Sequence, residues 1–321
     1  MPAGARIAVL IPCLDEEATI GGVVDAFREH LPQAAVYVYD NHSSDRSVEV
    51  ARAHGARVGH EPLRGKGHVV RRMFADIEAD IYLLVDGDAT YDPACAPQMV
   101  DTLQRQGLDM VTARRAAAAH AGAYRPGHRL GNRLLTGLVA RIFGSGSSDM
   151  LSGYRALSRR FVKSFPAQAS GFETETELTV HALEMRMPTA EVASAYTARP
   201  AGSSSKLSTW KDAARILTTI INLVRDQRPL GFFATLALGF VLTAFALATP
   251  ILIEYLETGL VPRFPTAILA TGLSIVGALL LACGLILDSV ARGRRELKRL
   301  AYLAIPAPPP PAGPAAARDE P

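Results

Sequence analysis

The sequence has few cysteines and almost no net charge, and both shortages exclude classes of protein. Among its 321 residues are three cysteines, Cys13, Cys95 and Cys283, which show no metal-ligand spacing and are odd in number. This argues against a disulfide framework and favours a reducing compartment. A formal net charge of +3 is too small to indicate a nucleic-acid-binding protein. The apolar run Arg6 to Ile11 is too short for a signal sequence, so we expect it to form a first strand.

Apolar residues, by contrast, make up 49% of the chain, and two long runs contain no charged residue. Leu230 to Ile253 and Thr266 to Leu287 are each long enough to span a bilayer. Basic residues flank both runs on their outer sides. By the positive-inside rule these flanks lie in the cytoplasm and the short connection lies outside. The sequence therefore predicts two transmembrane helices, with the N-terminal domain and the C-terminus in the cytoplasm.

The residues before the first run predict a helix at the membrane surface. Leu207 to Arg228 places Trp210 and aliphatic residues at helical spacing among basic residues, as in helices of a membrane interface; a buried globular helix is the alternative. After the second run, a basic stretch precedes a proline-rich segment of a kind that stays disordered. The predicted regions are a domain over 1–206, an interfacial helix over 207–228, a two-helix membrane region over 229–290 (spans at about 230–253 and 266–287), and a basic, then disordered tail over 291–321.

Strands and helices alternate in the N-terminal domain, which predicts an α/β fold with a mainly parallel sheet. In such sheets ligands bind beyond the carboxyl ends of the strands. Asp15 follows the first predicted strand, and Asp40 ends the second. Asp86 and Asp88 follow a third, Ile81 to Val85. We therefore expect three loops to converge on one crevice. Further predicted strands are 108–113 and 192–196.

Asp86 and Asp88 stand one residue apart at the end of their strand, so their carboxylates share one face. Two carboxylates held that close repel each other unless a cation lies between them. Mg²⁺ or Mn²⁺ is the usual cation when phosphates complete the ligand shell. A solvated Asp-Gly-Asp turn is the alternative, because both residue types favour turns for local reasons. The other loops at this edge favour the metal site.

Two basic loops complement these acids. Lys66 lies between Gly65 and Gly67 directly before a helical pattern, where backbone N–H groups can approach an anion. The Gly-Lys-Ser/Thr order of a Walker A loop is absent. The later loop TARPAGSSSKL, residues 197–207, combines Arg, Lys and three serines in a composition suited to gripping an anion; a flexible polar linker is the alternative. With the acid pair, these loops predict a site for a metal-bound diphosphate.

Seven motifs occur in an order that resembles one known family. They are IPCLDEE, DNHSSD, RGKG, DGDATY, SGYRA, GFETETEL and RPAGSSSKL. Each motif is weak alone, but their order from Ile7 to Leu207 is similar to that of the GT-A glycosyltransferases of family 2. Within that family the chain resembles the polyprenyl-phosphate (dolichol-phosphate mannose synthase-like) enzymes with a C-terminal membrane anchor.

The resemblance implies a metal-dependent hexosyltransferase with a Rossmann-like GT-A domain. Such an enzyme moves a sugar, with inversion, from a nucleotide-sugar, with UDP favoured, to a polyprenyl phosphate of the undecaprenyl type. The implied location is the bacterial inner membrane, where membrane lipid surrounds the anchor and the catalytic domain is cytoplasmic. The implied purpose is envelope glycan or glycoconjugate modification, with Mg²⁺ or Mn²⁺ as cofactor.

The resemblance also assigns roles to single residues, carried over by position in the motifs. Asp86 and Asp88 match the DXD pair that binds the metal and the diphosphate, and with Arg114 they are the implied catalytic residues. The implied donor-nucleotide residues are Pro12, Asp15, Glu17, Asp40 and Lys66. The implied acceptor-phosphate residues are Arg114, Arg129, Ser203 and Lys206. Candidates for the sugar pocket are Tyr154 and Glu175, together with Tyr124 and His128.

Two positions depart from the family pattern. Many relatives have Asn where Asp15 stands, and Tyr91 falls where a metal-binding Gln is common. The metal shell would then consist of Asp86, Asp88, water and phosphate oxygens. Because a lipid phosphate is already anionic, it needs positioning by arginines more than a general base, and no dedicated base is assigned. Asp88 is the nearest candidate for one.

Two alternatives belong to other functional classes. A processive polysaccharide synthase carries a QxxRW motif before its channel helices, but the single tryptophan here, Trp210, lies in LSTW. A non-catalytic scaffold or lipid-carrier-binding protein would have a decayed sugar site, whereas the acid pair and Lys66 are intact.

Relatives assemble as oligomers, so a homo-oligomer is an open alternative. The glycine spacing in the spans, such as Gly231 and Gly239, does not establish a dimer motif.

Overall fold

The computed structural model describes residues 5–116, 149–169, 173–197 and 224–307, with positions 137, 171, 218 and 221–222 between them. The chain divides into two units, Met1–Ala213 with Lys298–Pro321, and Ala214–Leu297. The first unit holds a sheet covered by helices. The second holds most of two long apolar helices.

The first unit is built on a seven-stranded sheet. Its strands are β1 (Ile7–Cys13), β2 (Ala35–Asp40), β3 (Arg57–His60), β4 (Ile81–Leu84), β5 (Met110–Ala116), β6 (Arg155–Ser158) and β7 (Thr189–Ala195). They lie in the order β3-β2-β1-β4-β6-β5-β7, and only the two pairs that include β6 are antiparallel. The predicted mainly parallel α/β sheet is confirmed. The sequence analysis did not anticipate β3 and β6, which have four residues each.

Helices cover both faces of this sheet because strand side chains alternate between the faces. In β1, Val9 and Ile11 enter one hydrophobic core, and Ala8 and Leu10 enter the other. The helices of the first unit are α1 (Ile20–His30), α2 (Ser47–Ala53), α3 (Lys66–Asp76), α4 (Ala96–Arg105), α5 (Arg159–Ser164) and α6 (Thr174–Met185), with a 3₁₀ turn at Pro93–Cys95. Helices α1 and α4 pack in the first core, and α3, α5 and α6 pack in the second. The sheet is thus buried between two hydrophobic cores.

The second unit contains the two predicted apolar helices. They are α7 (Pro229–Thr258) and α8 (Phe264–Leu303), each long and apolar enough to cross a membrane. Apart from Pro229 at the start of α7, their buried positions repeat every seven residues, at 237, 244 and 251 in α7 and at 270, 277, 284 and 291 in α8. Small residues dominate this seam, and a Cβ on Gly277 would lie 2.8 Å from a methyl group of Val241. Close packing through small residues is how apolar helices associate within lipid.

The C-terminal part of α8 differs from the sequence-based expectation. We predicted that the second span ends near 287 and that a basic, then disordered tail covers 291–321, whereas the helix continues through the basic stretch to Leu303. Its last residues belong to the first unit. There Lys298 pairs with Glu184 at 2.8 Å, and the hydroxyl of Tyr302 donates to Asp109 at 2.7 Å. Through these contacts the end of the basic stretch is part of the folded first unit, which its composition does not indicate. The proline-rich residues 308–321 lie outside the described part of the chain.

The predicted interfacial helix, 207–228, falls largely outside the described residues. Within it, positions 218, 221–222 and 224–227 are helical. The amphipathic character of the whole segment therefore stays a prediction.

The buried histidine of α6 should make the stability of the first unit pH-dependent. His181 is 2% exposed and packs edge-on against the rings of Phe161 and Phe165. Burial, reinforced by the charge of Lys298, lowers the pKa of His181 from 6.5 to about 3. As the pH falls, the unfolded state therefore binds this proton first, and about 2 kcal/mol of stability should be lost between pH 7 and pH 5.

Thermal unfolding at both pH values measures this loss, which His181→Phe should remove. His54→Ala is the matched control, because His54 is 38% exposed. An identical pH dependence in the wild type and His181→Phe would contradict the assignment.

Candidate active site

The strand order brings the predicted acids to one edge of the sheet. Strands β2, β1 and β4 are parallel neighbours, so Asp40, Asp15 and the turn at Asp86 all follow strand ends on that edge. Strand β6 runs the other way, which places Gly153, just before it, at the same edge. Lys66, the first residue of α3, also reaches Asp86. The loops expected to converge do lie together.

The loops after β1 and β2 are locked to each other. Asp15 Oδ1 accepts hydrogen bonds from the backbone N–H of Ser44 at 2.7 Å and from its hydroxyl at 3.1 Å. Glu17 Oε1 accepts from Nε and Nη2 of Arg46 at 2.8 and 2.6 Å. Hydrogen bonds from Arg46 lower the pKa of Glu17. These acids, predicted to hold the nucleoside, thus also shape the wall of the crevice.

The left-handed backbone of Asp15 accounts for one departure from the family pattern. Its φ is 51°, a region in which Asn and Asp are the most tolerated non-glycine residues. Both side chains offer an oxygen that can accept from Ser44. Either residue therefore serves at this position. Pro12, also predicted for the nucleoside, is half-buried at the end of β1.

Asp40 is held by its own loop and by β3. Its side chain is 8% exposed, and its oxygens accept from the backbone N–H groups of Ser43 at 3.1 Å and His42 at 3.2 Å. His60 Nδ1 lies 3.1 Å from Oδ2. Burial raises the pKa of Asp40, but the hydrogen bonds from Ser43, His60 and His42 outweigh it and leave the pKa below its usual value. Asp40 therefore stays ionised.

Lys66 occupies the centre of the charged cluster. Its Nζ donates to Asp86 Oδ1 and, at 2.5 Å, to Glu175 Oε1 in the first turn of α6. Lys66 and Glu175 are 10% and 8% exposed. Burial disfavours the ammonium, but the charges of Asp86 and Glu175 outweigh it and raise the pKa of Lys66. Burial raises the pKa of Asp86, with Asp88 and Glu175 adding to it, although Lys66 opposes the shift.

Gly67 is required for α3 to approach α6. A Cβ at this position would collide with the carbonyl of Ala169 and with Thr174. The glycine after Lys66 in RGKG is thus explained by packing as well as by anion access. It is this close packing that brings Lys66 within reach of Glu175.

Asp88 is buried, and its Oδ1 accepts from the hydroxyl of Thr90 at 2.6 Å and from its N–H at 3.2 Å. No three His, Cys, Asp or Glu side chains form a ready-made metal cage within the described part of the chain. A Mg²⁺ or Mn²⁺ site of this type needs only one or two carboxylates, with substrate phosphates and water completing the shell. Asp86 and Asp88, beside a buried Glu175 Oε2 that lacks a partner among the described residues, fit such a cation.

Tyr91 has a structural role that the sequence did not explain. Its buried hydroxyl accepts a hydrogen bond from the backbone N–H of Gly153 at 2.7 Å. A Cβ on Gly153 would collide with Oδ2 of Asp86. Burial and the charge of Asp86 raise the pKa of Tyr91, which keeps its hydroxyl protonated. Tyr91 thus fixes the glycine turn that lies against the first carboxylate of the DXD pair.

Replacing Tyr91 with Phe should therefore disturb the turn against Asp86. The variant leaves the Gly153 N–H buried without its acceptor, at a cost of about 1–3 kcal/mol. The melting temperature should fall, and transfer should slow because Asp86 is less well positioned. Tyr154→Phe is the control, since its ring also packs on Tyr91, 5.6 Å away, and its buried hydroxyl has no hydrogen-bond partner among the described residues. Equal melting temperatures for Tyr91→Phe and the wild type would rule out this role.

Two arginines at the end of β5 have different surroundings. Arg114, predicted to act on the acceptor phosphate, is exposed. Arg115 forms a two-pronged pair with Asp149, with Nε and Nη2 at 2.7 and 2.6 Å from its oxygens. Burial opposes ionisation of Asp149, but hydrogen bonds and charge from Arg115 outweigh it and lower the pKa of Asp149. Arg115 is thus a positioning residue, and Arg114 is the one that a ligand can reach.

The two sugar-pocket candidates separate in the structure. Tyr154 is fully buried in the first core, edge-on to Phe27 and Tyr91. It is therefore part of the core, and the predicted role in the sugar pocket does not fit this place. Glu175 lies in the charged cluster instead. The remaining predicted residues, Arg129, Ser203, Lys206, Tyr124 and His128, lie outside the described part of the chain.

Sequence reasoning missed two residues that support the site. Asn41 donates to the carbonyls of Glu61 and Leu63 and accepts from Gly65 N–H, so it ties the end of β2 to the Lys66 loop. Arg155 is fully buried and donates to the carbonyls of Ser152, Met150 and Glu175. Both stand in the quoted motifs DNHSSD and SGYRA. For Asn41 the available clue was a polar residue directly after a predicted strand.

Comparisons with known proteins agree with this geometry. Residues 8–165 match the model of the family described as Glycosyl transferase family 2. Glycosyltransferase AglJ of Haloferax volcanii is 31% identical over 94% of this chain and 100% of its own length. The Dolichyl-phosphate hexose transferase of the same organism is 26% identical over 69% of this chain and 95% of its own length.

A solved structure extends the comparison to three dimensions. It is the crystal structure of glucosyl-3-phosphoglycerate synthase from Mycobacterium tuberculosis in complex with Mn²⁺, uridine diphosphate and phosphoglyceric acid. It is 26% identical, with a TM-score of 0.54 over 69% of this chain and 78% of that chain.

Proposed function

This chain belongs to glycosyl transferase family 2, and we propose that it transfers a hexose from a UDP-sugar to a polyprenyl phosphate at the cytoplasmic face of a membrane. The observation that carries the proposal is the Asp86, Asp88 and Lys66 cluster at the carboxyl edge of the sheet, in a chain with two helices of membrane-spanning length. The mycobacterial synthase, solved with Mn²⁺ and uridine diphosphate, supports the donor. The dolichyl-phosphate hexose transferase supports the acceptor.

The cluster can stabilise the negative charge of a departing nucleoside diphosphate. Asp86 and Asp88 would hold the divalent cation, Mn²⁺ or Mg²⁺. When bound, this cation supplies electrostatic stabilisation of the phosphate oxygens. Lys66 adds a fixed positive charge, because the raised pKa keeps it protonated. Tyr91 and Gly153 hold Asp86 in place for this task.

The acceptor needs positioning and no deprotonation. A polyprenyl phosphate is already ionised at neutral pH, so its oxygen can attack the anomeric carbon directly. The bond from that carbon to the donor phosphate oxygen breaks on the opposite side, and the configuration inverts. Arg114 is exposed near the end of β5, which supports a role for it in binding the anionic acceptor. The predicted acceptor residues Arg129, Ser203 and Lys206 would complete this group.

The proposed membrane topology rests on the two predicted spans and on the basic residues that flank them. We place the catalytic domain and the C-terminus in the cytoplasm, with the connection between α7 and α8 outside. In a Cys283→Ser background, Leu260→Cys in that connection should react with an impermeant maleimide on intact cells. Gln106→Cys, exposed on the catalytic domain, should react only after permeabilisation. The reverse pattern would overturn the topology.

A transfer assay with the purified full chain tests the proposed reaction. Radiolabelled UDP- and GDP-sugars are incubated with undecaprenyl phosphate and Mn²⁺ or Mg²⁺, and the lipid phase is counted. We expect label in lipid with a UDP-sugar, and none with dephosphorylated polyprenol or with a chelator present. Phosphoglyceric acid is the competing acceptor, because the solved relative is a glucosyl-3-phosphoglycerate synthase. Label in that product, or no lipid product from the whole panel, would refute the proposal.

A further inference from the structure

The ammonium of Lys66 pairs with a carboxylate that is also proposed to hold the divalent cation. Nζ donates to Asp86 Oδ1 and to Glu175 Oε1, and the side chain of Lys66 is 10% exposed. Two cations on one carboxylate lie about 4–5 Å apart, because metal–oxygen and charged N–H···O contacts are about 2.1 and 2.8 Å long. At that separation the two positive charges repel each other in a partly buried site. Lys66 and a divalent cation therefore compete for Asp86.

The main chain around Lys66 is fixed on both sides. Asn41 Oδ1 accepts from the N–H of Gly65 at 2.7 Å, and the φ of Gly65 is 127°, a value that favours glycine. Gly67 packs so closely on its surroundings that a Cβ would lie 2.1 Å from a backbone carbonyl oxygen. The ammonium itself sits on a flexible four-carbon chain. Lys66 can therefore change partners by rotation of its side chain, without a movement of α3.

Glu175 offers the ammonium of Lys66 a second acceptor. Its Oε1 accepts from Lys66, whereas its Oε2 is buried and has no hydrogen-bond partner among the described residues. The backbone of Glu175 is held by Arg155 and Thr179, whose side chains donate to its carbonyl at 2.9 and 3.1 Å. Because both oxygens belong to one carboxylate, an N–H that leaves Asp86 finds an acceptor beside the one it already uses. Pairing that oxygen also removes the cost of a buried, unpaired acceptor.

We propose that Lys66 is an internal counter-cation that keeps the divalent metal from Asp86 until the diphosphate of the donor binds, and that Glu175 is the positioning residue that retains Lys66 afterwards. The inference rests on the proposed use of a nucleotide-sugar donor and a divalent cation. A diphosphate brings oxygens that bind both the cation and the ammonium. Lys66 then leaves Asp86, and the cation takes its place. When the nucleoside diphosphate departs, Lys66 returns to Asp86 and the metal is released with the product.

Electron paramagnetic resonance of free Mn²⁺, with the full chain in detergent, measures this competition. In the wild type, UDP should tighten Mn²⁺ binding at least about tenfold. Without UDP, Lys66→Met should bind Mn²⁺ at least about tenfold more tightly than the wild type, because the competing ammonium is gone. UDP should then tighten Mn²⁺ binding by a smaller factor than in the wild type. Mn²⁺ should also raise the melting temperature of Lys66→Met more than that of the wild type, since it binds between the exposed carboxylates.

A double variant separates direct competition from net charge. Lys66→Met with Glu175→Gln removes one positive and one negative charge, so the formal charge of the cluster is unchanged. It should still bind Mn²⁺ without UDP more tightly than the wild type. Arg72→Met is the matched control, because it removes one positive charge from the same helix, where Arg72 is 51% exposed and pairs with Asp76. Its affinity for Mn²⁺ should stay within about twofold of the wild-type value.

Three results would count against these proposals. If Lys66→Met binds Mn²⁺ without UDP no more tightly than the wild type, the inference is overturned and the proposed function stands. A gain in Lys66→Met that is absent from the double variant would trace the effect to net charge, and it would also overturn the inference. Failure of the wild type to bind Mn²⁺ even with UDP present would overturn both the inference and the proposed metal-dependent reaction.

Discussion

An Asp88→Asn variant should transfer sugar at least about 10³-fold more slowly than the wild type and still fold normally. Asparagine keeps the oxygen that accepts from the N–H and hydroxyl of Thr90, so the turn after β4 is preserved. What it removes is one negative charge from the pair proposed to hold the cation. The steady-state rate of lipid-linked product and the melting temperature, measured on the same preparation, separate these effects.

The control for Asp88→Asn lies in the same loop. Asp92 caps the following 3₁₀ turn by accepting from Ala94 N–H at 2.9 Å, and Asp92→Asn is the same chemical change four residues away. We expect its rate to stay within about threefold of the wild type, because a cap contributes about 1 kcal/mol to stability and nothing to the diphosphate. If Asp88→Asn also keeps a tenth or more of the wild-type rate, Asp88 does not hold an essential cation.

Replacing Lys66 with Met should destabilise the first unit by about 3 kcal/mol and abolish transfer. The substitution removes the ammonium from between Asp86 and Glu175 and leaves two mostly buried carboxylates facing each other. A loss of that size corresponds to a fall in melting temperature of roughly 6–12 °C for a unit of this size. Scanning calorimetry of the detergent-solubilised full chain measures it.

A second substitution tests whether like-charge repulsion is the cause. Adding Glu175→Gln to Lys66→Met removes one of the two carboxylates, so it should restore more than about 1 kcal/mol of stability without restoring activity. Arg72→Met breaks an exposed ion pair with Asp76 and should cost less than about 1 kcal/mol. A double variant no more stable than Lys66→Met would show that the cluster is not electrostatically coupled.

Much of the fold was predictable because long apolar strands carry a strong local signal. Strands β1 and β4 are buried apolar runs followed by acidic residues, and the prediction from the sequence located both of them. Strand β3 was missed because it is short and contains Gly59. Its glycine is needed where the ring of Tyr39 crosses it, since a Cβ would lie 2.5 Å from that ring. Strand β6 was missed because it begins with Arg155, a residue type that is rarely buried.

The charged residues of the site were also predictable, but their pairings were not. Asp86, Asp88 and Lys66 stand out by motif. The ion pair between Lys66 and Glu175, however, joins residues 109 positions apart and depends on the close packing of α3 against α6. Local patterns carry no information on such a contact. Tyr91 illustrates the same limit, because its partner is a backbone N–H 62 residues away.

The hydrogen bond from Tyr302 to Asp109 sets an order on the biogenesis of the protein. The two residues are 193 positions apart, and both apolar helices lie between them along the chain. A ribosome therefore exposes Tyr302 only after it has synthesised both helices. Until then, the side chain of buried Asp109 can pair with Ser158 and Arg160, its nearer partners among the described residues. The first unit thus gains the contacts of Lys298 and Tyr302 only after both apolar helices have been synthesised.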